Sequence, residues 1–344
     1  MDSRTKTDSI KKLLITGGAG FMGSNFIHYI LEKYPDYEII NLDKLTYAGN
    51  LENLKDVEDN TRYRFVKGDI ADPNIVNELV NEADVVINYA AETHVDRSIL
   101  APREFAETDV LGTLTILNAI REQGNKTKLI QISTDEVFGS IPSGKFTEES
   151  PFMPNSPYAA SKAGGDLMCR AFWITYKTPL IVTHSCNFYG PYHYPEKLIP
   201  LAITNLLEGK KVPIYGDGRQ VREWIYTQDH CTAIDMILHK GEIGEIYNIG
   251  TEDERENIET VKLILNYLGI DESYMEYVKD RPGHDRRYSL DTSKIRRELG
   301  WEPKVSFEDG IKITVDWFKN NKEWWKKVKS GEYQKYYEEQ YGRS

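Results

Sequence analysis

Five polar residues give the first indication of chemistry. Thr134, Asp135 and Glu136 follow the apolar run Leu129 to Ile132 and its Ser133, and Tyr158 and Lys162 stand about two dozen residues further on. In a helix that starts near Pro157, Tyr158 and Lys162 are four residues apart and share a face, which brings an ammonium toward a phenol. A free tyrosine titrates near ~10 and neighbouring positive charge lowers that value, so Tyr158 is expected to act as a base toward a substrate hydroxyl. A Tyr-x-x-x-Lys pair alone is common on solvated helix faces. The adjacent acids are rarer, because structural acids favour helix starts and turns, whereas Asp135 and Glu136 follow a strand, at the expected carboxyl edge of a sheet. Together the five groups suit an oxidation coupled to an elimination.

A second set of residues supplies the redox half. Thr16-Gly17-Gly18-Ala19-Gly20-Phe21-Met22-Gly23 joins an apolar run to a helical stretch, and Gly17, Gly20 and Gly23 keep the spacing of a dinucleotide fingerprint. Without side chains the turn can tighten and let a pyrophosphate meet the amides of a helix N-terminus. A bare glycine turn would not explain Asp43, which ends the second apolar run 20 residues beyond Gly23 and can accept from ribose hydroxyls. Its charge would repel a ribose phosphate, with Lys44 softening that exclusion, so NAD is expected rather than NADP. Asp69 and Ile70 after the third run, and Ala90 and Ala91 after the fourth, are expected to extend the same groove.

Short runs rich in branched aliphatic residues must position these groups: Leu13 to Ile15, Ile39 to Leu42, Phe65 to Val66, Val85 to Ile87, Leu129 to Ile132 and Leu180 to Val182. Helical segments such as Ser24 to Lys33, Asn74 to Glu82 and Val110 to Glu122 alternate with them, which predicts an α/β fold, a Rossmann-type doubly wound parallel sheet. After Val182 the rhythm changes, and Pro191, Pro195, Pro200 and Pro213 punctuate a smaller, interwoven α/β substrate domain. The expected division is a dinucleotide-binding domain over 11–185, with segments returning from about 223–250, and a mainly substrate-binding domain over 186–344. Trp224 to Leu238 and Ile246 to Ile249 are candidates to rejoin the first sheet or its flank. Trp317 to Tyr341 reads as a helical cap.

Composition narrows the function classes. The 344 residues carry a net charge of -11, with 40% hydrophobic and 28% charged residues, an ordinary globular balance. Such a surface repels nucleic-acid backbones, so an anionic ligand needs a local basic pocket. Cys169, Cys186 and Cys231 are few, scattered and odd in number, which argues against a disulfide scaffold or a zinc ribbon; no metal is expected, and a reducing cytoplasm fits. Met1 to Ile10 is polar and expected to fray, and Leu13 to Ile15 is too short for a signal peptide or a membrane span.

Over nearly its whole length the chain resembles the dTDP-glucose 4,6-dehydratases of the extended short-chain dehydrogenase/reductase group. The resemblance rests on Thr16 to Gly23, Asp43 to Asn50, His94 to Ser98, Ser133 to Val137, Tyr158 to Lys162, Pro195 to Pro200 and Asp280 to Tyr288. It implies a nucleotide-sugar substrate, dTDP-glucose first, and NAD that ends each turnover as it began. Tyr158 would assist removal of hydride from C4, Glu136 would take the C5 proton, Asp135 would protonate the departing C6 hydroxyl, and Thr134 would hold the sugar or its oxyanion. Desolvation and the neighbouring Glu136 would keep Asp135 protonated for that step. Lys44, Thr46, Thr93 and Thr108 join the implied cofactor contacts. Thr93, His94, Asn187, Lys197, Leu198, Arg222, Asn257, Arg281 and His284 are the implied substrate contacts.

The resemblance also implies a homodimer through a four-helix contact, using the helices Arg103 to Glu122 and Tyr158 to Tyr176. Asp109, Phe138 and Phe188 depart from the family, which commonly has asparagine, tyrosine and a second asparagine there. His184 and His193 read as ordinary core residues, and Arg286 and Arg287 as a surface pair. The competing readings are a UDP- or GDP-sugar dehydratase, a nucleotide-sugar 4-epimerase, which usually lacks the adjacent Asp-Glu, and an NAD-binding sensor or scaffold without turnover.

Overall fold

Each branched aliphatic run forms a strand in the computed structural model, which describes residues 10–330. The expected frayed start, except Ile10, and the end of the expected C-terminal cap lie outside the described residues. In chain order the strands are β1 (Lys12–Thr16), β2 (Glu38–Asp43), β3 (Tyr63–Lys67), β4 (Val85–Asn88), β5 (Lys128–Thr134), β6 (Leu180–Ser185), β7 (Asn187–Tyr189), β8 (Val212–Tyr215), β9 (Val221–Tyr226), β10 (Ile246–Ile249), β11 (Glu254–Glu256) and β12 (Met275–Val278). Seven make one sheet in the order β10-β6-β5-β4-β1-β2-β3, every pair parallel. Strand order reverses about β1, so the crevice at its carboxyl end is a topological switch point.

Both faces of a parallel sheet are buried, and here two apolar clusters cover them. One holds Leu13, Ile15, Phe26, Ile87 and Ile130 together with Ile234 and Tyr247; the other holds Leu14, Ile40, Val86, Leu117 and Leu129. Polar residues cross the sheet near its carboxyl edge: the Thr16 hydroxyl donates to Asn88 Oδ1 at 2.5 Å, and Asn88 Nδ2 donates to Gln131 Oε1 at 2.8 Å. Buried polar groups paired in this way hold three strand ends in register where the site begins.

Ile246–Ile249 does rejoin the first sheet, as β10 beside β6. The segment from Trp224 divides. Its strand, β9, pairs with β7 and β11 in a three-stranded sheet, while the following helix Thr227–Lys240 returns to the flank of the large sheet. There Asp235 accepts from the Tyr29 hydroxyl of the helix Phe21–Lys33 at 2.7 Å. The pair β8 and β12, the helices Leu198–Leu207, Asn257–Leu268 and Phe307–Asn320, and Trp325 enclose a third apolar cluster over the sheet's carboxyl edge.

Candidate functional site

The helix Phe21–Lys33 starts at Gly20 with no side-chain cap and no acid in its first turn, so its amides face the crevice uncompensated. Gly17 has φ +67°, and a Cβ there would stand 2.6 Å from the Ala90 amide nitrogen, so only glycine lets β1 turn against the end of β4. A Cβ on Gly23 would meet the Gly17 carbonyl at 2.4 Å. Asp43 closes the turn from the side. Its Oδ2 accepts from the Ala19 amide at 2.9 Å and its Oδ1 from the Leu45 amide at 2.7 Å, which fixes the carboxylate while leaving lone pairs for ribose hydroxyls. Lys44 is ion-paired to Asp69 at 2.7 Å and thereby occupied, which strengthens the exclusion of a second phosphate. The residues present fit a dinucleotide.

The catalytic candidates gather around the ends of β5 and β6. Past Thr134 the chain enters a short 3-10 turn, Asp135–Phe138, in which Thr134 Oγ1 accepts from the Glu136 amide at 3.3 Å. Ser156 caps the helix Pro157–Tyr176 by accepting from the Ala159 amide at 3.1 Å, and Pro157 at its first position suits that start. Tyr158 and Lys162 do share a face there, and Lys162 Nζ donates to the Ile132 carbonyl at 2.8 Å. Thr134, Glu136, Tyr158 and Lys162 line one cleft with Gly17, Gly20, Phe21, Met22, Gly23, Asp43, Lys44, Thr46, Asp69, Ile70, Ala90, Ala91, Thr93 and Thr108.

Asp135 is the one candidate that does not reach the wall of this cleft. It is buried behind it, Oδ1 receiving the Thr134 hydroxyl at 3.3 Å and Oδ2 finding no hydrogen-bond partner among the described residues. Burial, then Glu136 and Glu223, push its carboxyl well above the usual range, the state expected of a proton donor. Burial also raises Glu136, but Arg281, Arg222 and Lys197 oppose that rise, so the two neighbouring acids stand in unlike fields.

The expected lowering of the Tyr158 phenol is corrected by the structure. Burial first, then Glu136 and Asp109, push it well above its ordinary value, and the ammonium of Lys162 is engaged by a carbonyl. Spacing along the helix captured the Tyr-Lys pair and missed the carboxylates that neighbouring elements bring to it.

The substrate candidates Thr93, His94, Asn187, Lys197, Leu198, Arg222, Asn257, Arg281 and His284 line the same cleft on the side of the third apolar cluster. Arg222 is anchored by the Asp285 carbonyl at 3.0 Å and lies over the Tyr288 ring, 4.3 Å from its centroid. Arg281 pairs with Asp96 at 3.1 Å, and Lys197 donates to the Thr93 carbonyl. The side-chain oxygens of Asn187 and Asn257 are buried with no partner among the described residues, so a ligand donor can meet them. Burial, then Arg281, lowers His284 to about 4, which makes it neutral.

Several contributors were not singled out from sequence. Glu92, after β4, lines the cleft, and burial with Asp109 and Glu104 raises it to about 7. The Tyr288 hydroxyl stands 3.5 Å from Glu136 Oε2 and donates to Asp285 at 2.6 Å; its place in the run Asp280 to Tyr288 was the available signal. His184 does have a partner, Asp166 at 3.2 Å, whose same oxygen accepts from the Ser133 hydroxyl at 2.6 Å, while His193 stacks on Phe21 at 4.1 Å. Phe138 packs on Phe146 and His184 away from the cleft, whereas Phe188 lines it with its edge on His230. Arg286 pairs with exposed Asp217; Arg287 instead joins Glu254 at 2.6 Å and the Gly144 carbonyl at 2.9 Å, tying loops together. Among the described residues no His/Cys/Asp/Glu cluster suited to a metal ion is found, and no helix is long and apolar enough to cross a membrane.

The family profile described as GDP-mannose 4,6 dehydratase matches residues 14–314. A dTDP-glucose 4,6-dehydratase of Xanthomonas campestris pv. campestris (strain B100) is 48% identical over 340 residues, covering 93% of this chain and 96% of that protein. Among solved structures, the dTDP-glucose 4,6-dehydratase DesIV of Streptomyces venezuelae, which has NAD bound, aligns with a TM-score of 0.90 and 51% identity over 92% of this chain and 99% of its own. The corresponding enzyme of Bacillus anthracis, in complex with NAD, aligns with a TM-score of 0.87 and 50% identity over the same shares. With Glu136, the Tyr-Lys pair and the glycine turn converging on one cleft and Asp135 directly behind its wall, this chain belongs to the dTDP-glucose 4,6-dehydratase family of extended short-chain dehydrogenase/reductases.

Proposed function

We propose that the protein dehydrates dTDP-glucose to dTDP-4-keto-6-deoxyglucose. The observation that carries this reading is the placement of two adjacent acids: Asp135 behind the cleft wall, where burial and Glu136 favour its protonated form, and Glu136 on the wall, raised by burial but opposed by Arg281, Arg222 and Lys197. An epimerase needs no such pair. NAD supplies the hydride chemistry, taking hydride from C4 and returning it at C6. Tyr158 accepts the C4 hydroxyl proton in its phenolate form, which burial, Glu136 and Asp109 make scarce, with Thr134 on the sugar and Lys162 beneath. The resulting ketone acidifies C5, Glu136 takes that proton, and Asp135, behind the cleft wall with the cleft-lining Thr134 hydroxyl on its Oδ1, supplies the proton for the hydroxyl leaving C6. Lys197, Arg222 and Arg281 bind the diphosphate side, while Asn187, Asn257, His94, Thr93, Leu198 and His284 position the rest of the nucleotide sugar.

The division at 11–185 and 186–344, with 223–250 returning, describes a cofactor lobe and a substrate lobe. The protein acts as a homodimer: Leu100, Leu111, Leu167 and Ile174 leave 51–70% of their surface exposed beside or on the helices expected to meet a second copy. Three buried free thiols suit a cytoplasmic setting. Incubation of the purified protein with dTDP-glucose, UDP-glucose and GDP-mannose tests the substrate: a 4-keto-6-deoxy product from the first, with little from the others, supports the assignment, and a C4 epimer removes it.

A further inference from the structure

Asp109 is a buried acid that no step above uses. Between the helical turn Pro102–Phe105 and the helix Thr113–Glu122, the segment Ala106–Gly112 widens into π-helical turns, a feature that re-aims side chains and often marks a site. The helix Pro157–Tyr176 approaches it so closely that a Cβ on Gly165 would stand 2.6 Å from the Asp109 carbonyl. This approach delivers Asp109 Oδ2 to the Ser161 hydroxyl at 2.6 Å, one residue before Lys162. The same hydroxyl stands 2.8 Å from the Tyr158 carbonyl. Oδ1 of Asp109 meets no donor among the described residues, and the residue is 2% exposed.

We propose that Asp109 is a positioning residue that governs the ionisation of Tyr158 across the Ser161 turn: its carboxylate, held on the Ser161 hydroxyl, opposes negative charge on the phenol, and its protonation lifts that opposition. The proposal deepens the dehydratase reading and rests on Tyr158 being its base.

The charges oppose as this requires. Lys162 favours the ionised form of Asp109, and Asp109 in turn disfavours the phenolate of Tyr158. The other titratable groups bearing on Asp109 are Asp166 on the same helix as Lys162, whose charge disfavours a second carboxylate, and Glu92 from the loop after β4. Burial is the largest influence and raises Asp109 to about 6. The carboxylate is therefore mostly charged at neutral pH and takes its proton just below it. Charges in so dry a setting act on one another far more strongly than in water.

The test is Asp109→Asn, which keeps the shape and removes the charge, with Asp109→Ser as a second variant. Tyrosine is labelled with carbon-13 at Cζ, and the resonance absent from Tyr158→Phe is followed against pH in NAD-saturated protein. Ionisation of Tyr158 should begin at least about half a pH unit lower in both variants. The acid limb of C4 oxidation should shift the same way, with KM for the nucleotide sugar unchanged. An identical Tyr158 titration in wild type and variants, or loss of folding in both, would overturn the proposal. A shifted titration without water loss from any nucleotide sugar would keep the coupling and discard the dehydratase reading.

Discussion

Asp43 reaches back across the groove to the Ala19 amide at 2.9 Å, so the residue expected to read the ribose also ties down the turn expected to hold the pyrophosphate. Replacing Asp43 with alanine removes both functions. NAD affinity should fall roughly 10- to 100-fold, the cost of losing one or two hydrogen bonds to a charged group. Asp43→Asn should narrow the preference for NAD over NADP, because the repulsive charge goes while an acceptor remains. Calorimetric titration with each cofactor checks both.

Two glycines of the same turn should respond differently. Gly17→Ala meets a positive φ and the Ala90 backbone, so it should lower stability by about 1–3 kcal/mol as well as weaken NAD. Gly20 has φ -78°, and an added Cβ would find only the Gly17 carbonyl, at 3.2 Å. Gly20→Ala should therefore keep most of the stability and lose cofactor affinity. Urea unfolding curves without added cofactor, paired with NAD titrations, separate the two effects.

Acid sensitivity has a named contributor in His230. It is wholly buried against Phe188 and Tyr89, with neither ring nitrogen partnered among the described residues, and burial lowers it to about 3. An unfolded chain binds that proton below about 6.5, whereas the folded one does not until near 3. Stability is therefore fully present above pH 6.5 and falls as pH drops through the window. In His230→Phe the slope of unfolding free energy against pH between 6 and 4 should be smaller by about 1.4 kcal/mol per unit. An unchanged slope would remove His230 from the account.

Asp135→Asn should slow water loss far more than C4 oxidation, since an amide cannot protonate the departing hydroxyl, while Tyr158→Phe should suppress oxidation itself. Each loss should be about 10²- to 10⁴-fold. Single-turnover absorbance of the reduced nicotinamide, followed beside product formation, distinguishes the steps. Equal, small effects would make the cluster structural.

Much of this was legible along the chain. The strands of the large sheet announce themselves as branched aliphatic runs, and Gly17, Asp43 and Tyr158 stand at spacings that a strand-turn-helix unit makes unavoidable. What the sequence did not disclose depends on neighbours distant in the chain. Nothing local says that Lys44 will be taken up by Asp69, that Asp135 will lie near Glu223 behind the cleft wall, or that burial with Glu136 and Asp109 will raise Tyr158. Strands of three residues such as β7 and β11 are too short for an alternating pattern to show, so the smaller sheets emerged only with the fold. The π-helical segment likewise has no simple periodic signature.

The most direct test follows hydrogen through one turnover with dTDP-glucose deuterated at C4. Oxidation, elimination and hydride return by one bound cofactor require the label to appear at C6 of a 4-keto-6-deoxy product, with solvent hydrogen entering at C5 through the exchangeable proton on Glu136. Label returned to C4 with the C6 hydroxyl retained, or label lost to solvent, would contradict the dehydratase account.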